Sequence, residues 1–476
     1  MSTVHFIGIC GTAMATLAAL MRHKGFDVRG SDQNMYPPMS DFLAREGIAP
    51  FAGYRAEHIA ADIDLVVVGN AISRGNPELE EVLDRRIRYL SLPEALREHF
   101  LWGARSIVIA GTHGKTTTTA LLAWLLTDAG LDPTVFVGGI AANLGEQGSS
   151  YRVGAGRDFV IEGDEYDSAY FDKTAKFLKY LPDIVVVNNI EFDHADIYPD
   201  LEAVRVAFCR LVNLVPRSGL LVVGADDAEA LGLGTGARCR VESAGLSTAA
   251  TWHAFAVNPG AGGMSFNVRR EGQLFGSFEI PLMGLHNVRN ALAAIAVGAA
   301  RGLDAETLAR GMRKFRGVKR RLEIVGEVGG VTVYDDFAHH PTAVAETLAA
   351  LRAGTAGSRI WAVFEPRSAS SCRRVFQPAF AEAFSGADRV IIAAVFRSTL
   401  PEAERLSAEE LVADLRARRS NARHIPEIDD IVATIALERE PGDLVVFMSN
   451  GGFGGIHRRM LAALAQPGGA SHHPLV

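Results

Sequence analysis

Short apolar runs rich in Val and Ile recur along the chain, and each is followed by glycine or by polar residues. Such runs lie at residues 4–7, 64–68, 107–110, 184–187, 220–223, 331–334, 389–395 and 443–448. Short β-branched runs bounded by turn residues are typical of buried strands. Helical stretches follow several of them, as at residues 15–23 and 120–126. This alternation predicts an α/β fold with mostly parallel sheets.

The pattern changes in the middle of the chain. Residues 236–281 alternate polar and apolar side chains, which predicts antiparallel β structure. An Ala-rich stretch from residue 284 to about residue 301 then predicts a long helix. Asn287 is a natural N-cap for this helix, whereas Asn290, one turn later, is free to contact a nucleotide base.

The length of the chain predicts several domains. A chain of 476 residues is too long for one ordinary core, and two to four domains are expected. One boundary is predicted near Gly103, just before the strand at residues 107–110, and another at the basic segment 315–323. We therefore predict three domains, comprising residues 1–103, 104–321 and 322–476.

Composition narrows the function class. The chain is 48% hydrophobic and 22% charged, with a net charge of −7 that is spread without long runs of one sign. These values describe a globular protein and give no basic patch for nucleic acid or for a membrane surface. The four cysteines are far apart and form no CxxC pair, which fits a reducing compartment. We expect a cytoplasmic protein whose ligands are small molecules.

The clearest chemical signal is the segment Gly111-Thr-His-Gly-Lys-Thr116, which lies between a predicted strand and a predicted helix. Glycines let a backbone approach phosphates closely, and the start of a helix presents unpaired N–H groups. Lys115 can reach the β- and γ-phosphates of a nucleotide, and the Thr116 hydroxyl can ligate Mg²⁺. The loop is shorter than the usual G-x-x-x-x-G-K-[ST] motif, because Ile109 replaces its first glycine.

Acidic residues follow two further predicted strands. Glu162-Gly-Asp-Glu-Tyr-Asp167 comes after one strand, and Glu191-Phe-Asp-His194 comes after the next. Carboxylate oxygens are the ligands that Mg²⁺ prefers, although acidic loops are often only solvated. Because both clusters end strands of a nucleotide-binding sheet, we predict that they ligate Mg²⁺ beside the phosphates.

A second glycine turn lies near the start of the chain. Gly8 and Gly11 follow the first predicted strand, and the second strand ends in Asp32. This arrangement is similar to the opening of a dinucleotide-binding unit, but the third glycine of G-x-G-x-x-G is missing. The turn alone is equally consistent with glycines that only serve the backbone.

Six segments together resemble the Mur ligases, the ATP-dependent enzymes that form amide bonds in peptidoglycan metabolism. The resemblance extends along essentially the whole chain. The segments that carry it are Gly111-Thr-His-Gly-Lys-Thr116, Glu162-Gly-Asp-Glu-Tyr-Asp167, Asn189-Ile-Glu-Phe-Asp-His194, His286-Asn-Val-Arg-Asn290, Lys319-Arg-Arg321 and Tyr334-Asp-Asp-Phe-Ala-His-His-Pro-Thr342.

The resemblance implies an N-terminal Rossmann-like domain for a UDP-sugar, a central P-loop ATPase domain and a C-terminal Rossmann-like domain for the incoming amine. The first glycine turn would then hold the UDP diphosphate. The residues expected at the UDP-sugar are Gly8, Cys10, Gly11, Thr12, Asp32 and Asn70. The residues expected at ATP are Gly111, Thr112, His113, Gly114, Lys115, Thr116, Thr117, His286, Asn287, Asn290, Arg321 and Asp335.

The resemblance also implies a mechanism. A carboxylate of UDP-N-acetylmuramate would be activated as an acyl phosphate, which the amine of a small peptide then attacks. Lys115 and His194 would be catalytic, and Mg²⁺ would be held by Thr116, Glu162 and His194. The alternative role for His194 is that of a general base. The residues expected at the peptide are His339, His340, Arg367 and Asn450.

Two branches of the family compete as the nearest match. One adds free L-alanine to UDP-N-acetylmuramate, and the other adds the tripeptide L-alanyl-γ-D-glutamyl-meso-diaminopimelate. Segments 31–40, 191–198, 365–368 and 449–457 resemble the tripeptide branch. We expect a monomer or a weak homodimer. More distant alternatives are a nicotinamide-dependent dehydrogenase, which leaves the Lys115-Thr116 loop unexplained, and a non-enzymatic nucleotide switch, which predicts no phosphate release that depends on a sugar nucleotide.

Overall fold

The structure is a computed structural model, and it describes residues 2–35, 39–260, 262–355, 357–396 and 400–466. Positions 36–38 of the segment 31–40 lie outside the described residues. The strands form three large sheets, one for each predicted domain, and a small two-stranded sheet. Most neighbouring strands of the large sheets are parallel, and helices connect many of them. The predicted α/β class is confirmed, while the exact domain boundaries stay a prediction.

The N-terminal domain is built on a five-stranded parallel sheet in the order β3-β2-β1-β4-β5. This order is typical of Rossmann-like folds. Its strands are β1 (Thr3–Ile7), β2 (Asp27–Asp32), β3 (Phe51–Ala52), β4 (Leu65–Val68) and β5 (Tyr89–Ser91). Its helices are α1 (Thr12–His23), α2 (Met39–Arg45), α3 (Pro77–Asp84) and α4 (Leu92–Leu96).

The central domain contains a ten-stranded sheet in the order β17-β16-β15-β14-β13-β12-β6-β9-β7-β8 and the small sheet β10-β11. The strands are β6 (Arg105–Ala110), β7 (Thr134–Ala141), β8 (Ser149–Arg152), β9 (Asp158–Glu162), β10 (Asp167–Ala169), β11 (Asp172–Ala175), β12 (Pro182–Val187), β13 (Leu220–Gly224), β14 (Arg240–Gly245), β15 (Trp252–Gly260), β16 (Gly263–Arg270) and β17 (Gln273–Ile280). The helices are α5 (Lys115–Asp128), α6 (Leu201–Val212), α7 (Ala228–Gly232), α8 (Leu285–Ala300) and α9 (Ala305–Arg313).

The predicted antiparallel segment is only partly correct. β15, β16 and β17 form an antiparallel meander, as the alternating pattern indicates. β14, however, pairs in parallel with both β13 and β15 and extends the parallel part of the sheet. Alternation reports which faces of a strand are buried, and it does not fix the direction of the neighbouring strand.

The C-terminal domain has a six-stranded sheet in the order β18-β19-β23-β20-β21-β22, in which only the β18–β19 pair is antiparallel. Its strands are β18 (Glu323–Val328), β19 (Val331–Asp336), β20 (Ile360–Phe364), β21 (Arg389–Ile392), β22 (Asn421–His424) and β23 (Leu444–Met448). Its helices are α10 (Pro341–Gly354), α11 (Gln377–Ala383), α12 (Ala408–Ala417), α13 (Ile428–Glu438) and α14 (Ile456–Ala465).

The domains are packed against one another. Buried apolar residues of the N-terminal domain and of one face of the central sheet belong to a single cluster, and Thr16 contacts Ser150 at 2.7 Å across this junction. On the other face of the central sheet, α5 packs against α8. Among the described residues, every helix is too short or too polar to cross a membrane.

Candidate active site

The phosphate loop connects β6 to α5. Gly111 has a φ of +124°, and a Cβ there would lie 2.9 Å from the backbone nitrogen of Asn188. Gly114, the N-cap of α5, has a φ of +80°, and a Cβ there would lie 2.2 Å from the side chain of Asn290. Both positions therefore require glycine, and α5 begins at Lys115 with free N–H groups directed into the loop.

Lys115 is held against the loop and against an acidic residue. Its Nζ donates to the carbonyl oxygens of Gly111 at 2.7 Å and Thr112 at 3.1 Å, and it lies 2.9 Å from the carboxylate of Glu165. Burial alone would lower the pKa of Lys115, but Glu165 and Asp164 raise it above its usual value. The ammonium group is therefore charged and already positioned at the site where phosphates would enter.

Thr116 and Glu162 form the second part of the site. The Thr116 hydroxyl donates to Glu162 at 3.1 Å, and Glu162 also accepts from the backbone N–H of Gly138 at 2.8 Å. Arg321 reaches the same hydroxyl from the linker before β18, at 3.1 Å. Burial raises the pKa of Glu162 and lowers that of Arg321. A hydroxyl beside a carboxylate suits a hard cation such as Mg²⁺.

His194 lies on the other side of Lys115. It has a positive φ of 51°, and its Nε2 is 3.3 Å from the carboxylate of Glu165. Burial would lower the pKa of His194, but Glu165 and Asp193 raise it to about 9. The three predicted metal ligands are thus divided, because Thr116 contacts Glu162 whereas His194 faces Asp164 and Glu165. Sequence reasoning missed the role of Glu165, although it lies in the acidic segment.

A central cavity of about 230 Å³ joins these groups to the C-terminal domain. Its lining includes Lys115, Glu162, His194 and Arg321. The predicted ATP-binding residues that line it are Thr112, His113, Gly114, Lys115, Thr116, Thr117, His286, Asn287, Asn290 and Arg321. The phosphate loop, the predicted Mg²⁺ ligands and the linker therefore share one site.

Asp335 is placed differently from most of the other predicted ATP-binding residues, and its role at ATP stays a prediction. Among the described residues, the lining of the central cavity includes Asp336 but not Asp335. Asp335 pairs instead with Arg320 at 3.2 Å and with His457 at 3.3 Å. Successive residues of a strand point to opposite faces of the sheet, and here the side chain of Asp336 lies on the face toward the cavity. Its carboxylate accepts from the backbone N–H of Leu322 at 2.6 Å.

Asn287 also differs from expectation. The N-cap of α8 is Gly284, and Asn287 lies inside the first turn, where its side chain donates to the carbonyl oxygen of Met283 at 2.8 Å. The Asn290 amide in turn donates to the Asn287 side chain at 3.2 Å. Asn287 therefore positions Asn290 and does not cap the helix.

A second cavity of about 220 Å³ adjoins the first behind the phosphate loop. His113, Gly114, His286, Asn290 and Glu346 line both cavities. Burial, together with the cations Arg289 and Arg321, lowers the pKa of His286 to about 4. Sequence reasoning missed several polar residues of this lining, which are Asn188, Asp226, Arg289 and Glu346.

One of these missed residues had a sequence signal. Asp226 follows the end of β13, and polar residues beyond the carboxyl ends of parallel strands commonly contact ligands. Arg289 lies 2.8 Å from Asp226 and 3.3 Å from Glu346 of α10. The contact between Arg289 and Glu346 joins the central and C-terminal domains, and no local pattern in the sequence predicts it.

The N-terminal glycine turn is built around Asp32. Its carboxylate accepts from the backbone N–H groups of Cys10 and Asn34, both at 2.9 Å. Gly8 has a φ of +84°, and Gly11 is the N-cap of α1, which starts at Thr12. Burial and the charge of Asp32 raise the pKa of Cys10 to about 11. Asn70, also predicted at the UDP-sugar, lies just beyond β4 and is half-buried.

The predicted peptide residues form two pairs. His339 and His340 line the central cavity. The guanidinium of Arg367 lies 3.8 Å from the ring centre of Phe396, and it packs closely beside Gly451, which follows Asn450. The Asn450 side-chain oxygen is buried and has no hydrogen-bond partner among the described residues. The two pairs lie at the ends of three neighbouring strands, β19, β20 and β23.

Three protein-family models, all of Mur ligase domains, match this chain. The models described as Mur ligase family catalytic domain, Mur ligase middle domain, and Mur ligase glutamate ligase domain match residues 3–101, 109–298 and 320–451. The chain belongs to the Mur ligase family. The predicted family and the enzyme class, a ligase, are thereby confirmed.

Individual Mur ligases match over nearly the full chain. The UDP-N-acetylmuramate–L-alanyl-gamma-D-glutamyl-meso-2,6-diaminoheptandioate ligase of Haemophilus influenzae is 40% identical over 98% of this chain and 99% of its own length. A solved murein peptide ligase from Psychrobacter arcticus 273-4 is 35% identical, with a TM-score of 0.73 over 98% of this chain and 99% of its own. A UDP-N-acetylmuramate-alanine ligase from Thermotoga maritima is 26% identical, with a TM-score of 0.80 over 97% and 99%.

Proposed function

We propose that this Mur ligase joins the tripeptide L-alanyl-γ-D-glutamyl-meso-diaminopimelate to UDP-N-acetylmuramate in the cytoplasm, at the expense of ATP, in peptidoglycan recycling. The observation that carries the proposal is the arrangement of Lys115, Thr116 and Glu162 at a cavity closed by the C-terminal domain. The phosphate loop, the carboxylates of Glu162 and Asp164 and the C-terminal domain, which would bind the peptide, all border this cavity, and an acyl-phosphate mechanism would need such groups together.

The reaction has two steps. The carboxylate of UDP-N-acetylmuramate attacks the γ-phosphorus of ATP, and the β–γ bridging oxygen leaves with ADP, which gives an acyl phosphate. The neutral peptide amine then attacks the acyl carbon, the C–O bond to the phosphate breaks, and the departing phosphate keeps the bonding electron pair and takes up the proton that the nitrogen loses. Lys115 and Arg321 both line the cavity at the phosphate loop, so both can neutralise charge on the transferred phosphoryl group.

Mg²⁺ fits the residues beside the loop. Thr116 and Glu162 offer a hydroxyl and a carboxylate oxygen 3.1 Å apart, and Asp164, Glu165 and His194 form a further group of ligand atoms. A bound Mg²⁺ would offset the charge of the phosphates. His194 is paired with Glu165, so a role as metal ligand or as general base would require it to leave that contact.

Two sequence comparisons favour the tripeptide over free alanine. The Psychrobacter arcticus murein peptide ligase is 35% identical, and the Thermotoga maritima alanine ligase is 26% identical. The alanine ligase remains the second candidate, because its structure has the higher TM-score, 0.80 against 0.73. The peptide end of the site would include His339, His340, Arg367 and Asn450.

The test compares amine acceptors. The protein is incubated with ATP, Mg²⁺ and UDP-N-acetylmuramate, together with either the tripeptide or L-alanine, and phosphate release and product mass are measured. We expect turnover that selects the tripeptide. Selective turnover of L-alanine would replace the proposal by the second candidate, and failure with both acceptors would reject a muramate ligase. Analytical ultracentrifugation tests the further proposal of a monomer or a weak homodimer.

A further inference from the structure

Two groups of side chains in the described part of the chain bring three metal-ligand atoms within 4.8 Å of one another. In the first group, Glu165 is neutralised by Lys115 and Asp164 by Lys176, so this group belongs to the site already described. The second group consists of His113, Glu191 and His340, which we name the seam triad. Its carboxylate has two imidazoles as its ion-pair partners and no lysine or arginine within the described ranges.

The seam triad joins two domains. His113 comes from the phosphate loop and Glu191 from the segment after β12, whereas His340 precedes α10 of the C-terminal domain. The rings of His113 and His340 lie 4.7 Å apart. His113 lines both cavities, and Glu191 and His340 line one each. An ion held here would therefore lie where the nucleotide cavity meets the C-terminal domain.

The distances match the edge of a metal tetrahedron. His113 Nε2 lies 3.3 Å from Glu191 Oε2, and His340 Nδ1 lies 3.3 Å from the same oxygen. Zinc binds imidazole nitrogen and carboxylate oxygen at about 2.0–2.2 Å in tetrahedral sites, which places neighbouring ligand atoms roughly 3.3–3.5 Å apart. Two edges of the triad thus have the spacing of ligands of a four-coordinate ion, and the third edge, between the two imidazole nitrogens, is no longer than 4.8 Å.

The hydrogen bonds of His340 assign its single ring proton to Nε2 and leave Nδ1 with only a long contact from a donor. Its Nε2 faces the carbonyl oxygen of Phe192 at 3.2 Å, so the ring proton belongs on Nε2. The backbone N–H of Thr342 points to Nδ1 at 3.4 Å, which makes Nδ1 an acceptor. Nδ1 and the Glu191 oxygen are then two acceptors that face each other at 3.3 Å. The Thr342 N–H shares the Nδ1 lone pair at 3.4 Å, and a cation between Nδ1 and the carboxylate would turn the remaining repulsion between the two acceptors into attraction.

The surroundings also resemble the outer shell of a metal site. Metal-ligating histidines commonly donate their second ring N–H to a carbonyl oxygen, as His340 does to Phe192. The carboxylate is oriented as well, because the Thr342 hydroxyl donates to Glu191 at 2.6 Å. Phe192 and Thr342 therefore hold both ligands in place, and a bound ion would displace the Thr342 N–H from His340 Nδ1.

We propose that the seam triad is a second metal site, for a borderline divalent ion such as Zn²⁺ or Co²⁺, separate from the predicted Mg²⁺ site. Two imidazoles and one carboxylate favour such ions, whereas Mg²⁺ prefers oxygen ligands. A bound ion ties the phosphate loop to the C-terminal domain and takes His113 and His340 from the substrates. It is therefore inhibitory, and this consequence alone rests on the proposed ligase function.

The test uses Co²⁺ as a spectroscopic probe on the full chain without nucleotide. We expect one equivalent of Co²⁺ to give the intense visible bands of a four-coordinate site, unchanged by excess Mg²⁺. His340→Ala and Glu191→Gln should each weaken Co²⁺ affinity at least tenfold, while Glu162→Gln should retain the bands. The parent protein of this test and every variant of it carry His472→Ala and His473→Ala, because those two histidines could bind Co²⁺ independently. Circular dichroism checks that each variant is folded.

Two results would overturn the site. One is the absence of four-coordinate bands in the parent protein, which would leave a shared proton as the cation. The other is the persistence of the bands in folded Glu191→Gln and His340→Ala. A parallel assay asks whether Zn²⁺ inhibits turnover in competition with ATP. Cobalt bands without any ligase turnover would reject the proposed function and support the metal site. Ligase turnover without cobalt bands would support the proposed function and reject the metal site.

Discussion

The ammonium group of Lys115 lies 2.9 Å from the carboxylate of Glu165, in a contact that is almost completely buried. The same group donates to two carbonyl oxygens of its own loop. Lys115 is therefore positioned before any phosphate arrives, and its charge is balanced by the acidic segment after β9. Phosphate oxygens that enter the loop would compete with Glu165 for a cation that need not move far.

Lys115→Ala is predicted to reduce kcat for ATP-dependent ligation by roughly 10³-fold or more, because charge on the transferred phosphoryl group loses a close cation. Affinity for UDP-N-acetylmuramate should change less than twofold, since Gly8 and Asp32 lie in another domain. Phosphate-release kinetics and calorimetric titration with the sugar nucleotide measure the two quantities.

The matched control for this lysine is Lys314→Ala, which removes an exposed lysine of the same domain whose partner, Asp128, lies outside the acidic segment. Its turnover should stay within twofold of the parent value. Parallel losses of turnover and of UDP-sugar affinity in Lys115→Ala would contradict the assignment of the two ligands to different domains.

Glu162→Gln is predicted to raise the Mg²⁺ concentration for half-maximal activity by about 10- to 100-fold, as for other changes at metal sites. The physical reason is the loss of a carboxylate beside Thr116. Magnesium titrations of turnover provide the measurement, and Glu279→Gln, at an exposed position of β17, is the control. Removal of Mg²⁺ with a chelator should abolish turnover in the parent protein.

Glu162→Gln should raise the Mg²⁺ concentration that activity requires, but it should not weaken the stability of the fold. Burial raises the pKa of Glu162, which means that its charged form is disfavoured in the fold. Without metal, Glu162→Gln should therefore be at least as stable as the parent at neutral pH. A clear decrease in its denaturation midpoint would show that Glu162 is held by interactions other than those with Thr116 and Gly138.

Local signals predicted the phosphate loop well. The β-branched run before Gly111 and the Lys115-Thr116 pair after Gly114 define a strand, a loop and a helix within about twenty residues. The acids after β9 could likewise be placed near the loop, because β9 is the neighbour of β6 in a parallel sheet. These features depend on short stretches of sequence and on general rules of α/β folds.

Contacts between distant elements could not be predicted in this way. The choice between Asp335 and Asp336 depends on which face of β19 meets the central domain, and the sequence of one strand does not contain that information. The pair Arg289–Glu346 depends on how α10 packs against α8. Tertiary structure decides which of two successive strand residues faces the neighbouring domain, and it also decides how two domains pack.

Because His286 has a lowered pKa, the free energy of unfolding of the protein should depend on pH in a specific way. Burial, Arg289 and Arg321 lower its folded pKa to about 4, against about 6.5 in the unfolded chain, and His113 also contributes. Below pH 6.5 the unfolded state binds a proton that the folded state does not, so stability falls as the pH decreases and the effect levels off near pH 4. The loss amounts to at most about 3 kcal/mol.

The measurement is the difference in unfolding free energy between the parent and His286→Gln from pH 4 to pH 8. Above pH 7 the difference should be constant, and it should shift in favour of the variant by up to about 3 kcal/mol at pH 4. A difference that does not vary with pH would show that His286 is protonated equally in both states. Urea denaturation followed by circular dichroism gives both free energies at each pH.

Replacement of Arg367 is predicted to weaken the binding of the peptide without affecting the other two substrates. Its guanidinium is fixed over the ring of Phe396 and beside Gly451, where its planar fork can pair with a carboxylate of the peptide. Because lysine cannot copy this bidentate geometry, Arg367→Lys should raise KM for the tripeptide by roughly 10- to 100-fold, the equivalent of a charged hydrogen bond. KM for ATP and for UDP-N-acetylmuramate should remain within twofold. The control is Arg418→Lys, an exposed arginine paired with Glu382 elsewhere in the C-terminal domain, and equal changes in all three KM values would refute a peptide role for Arg367.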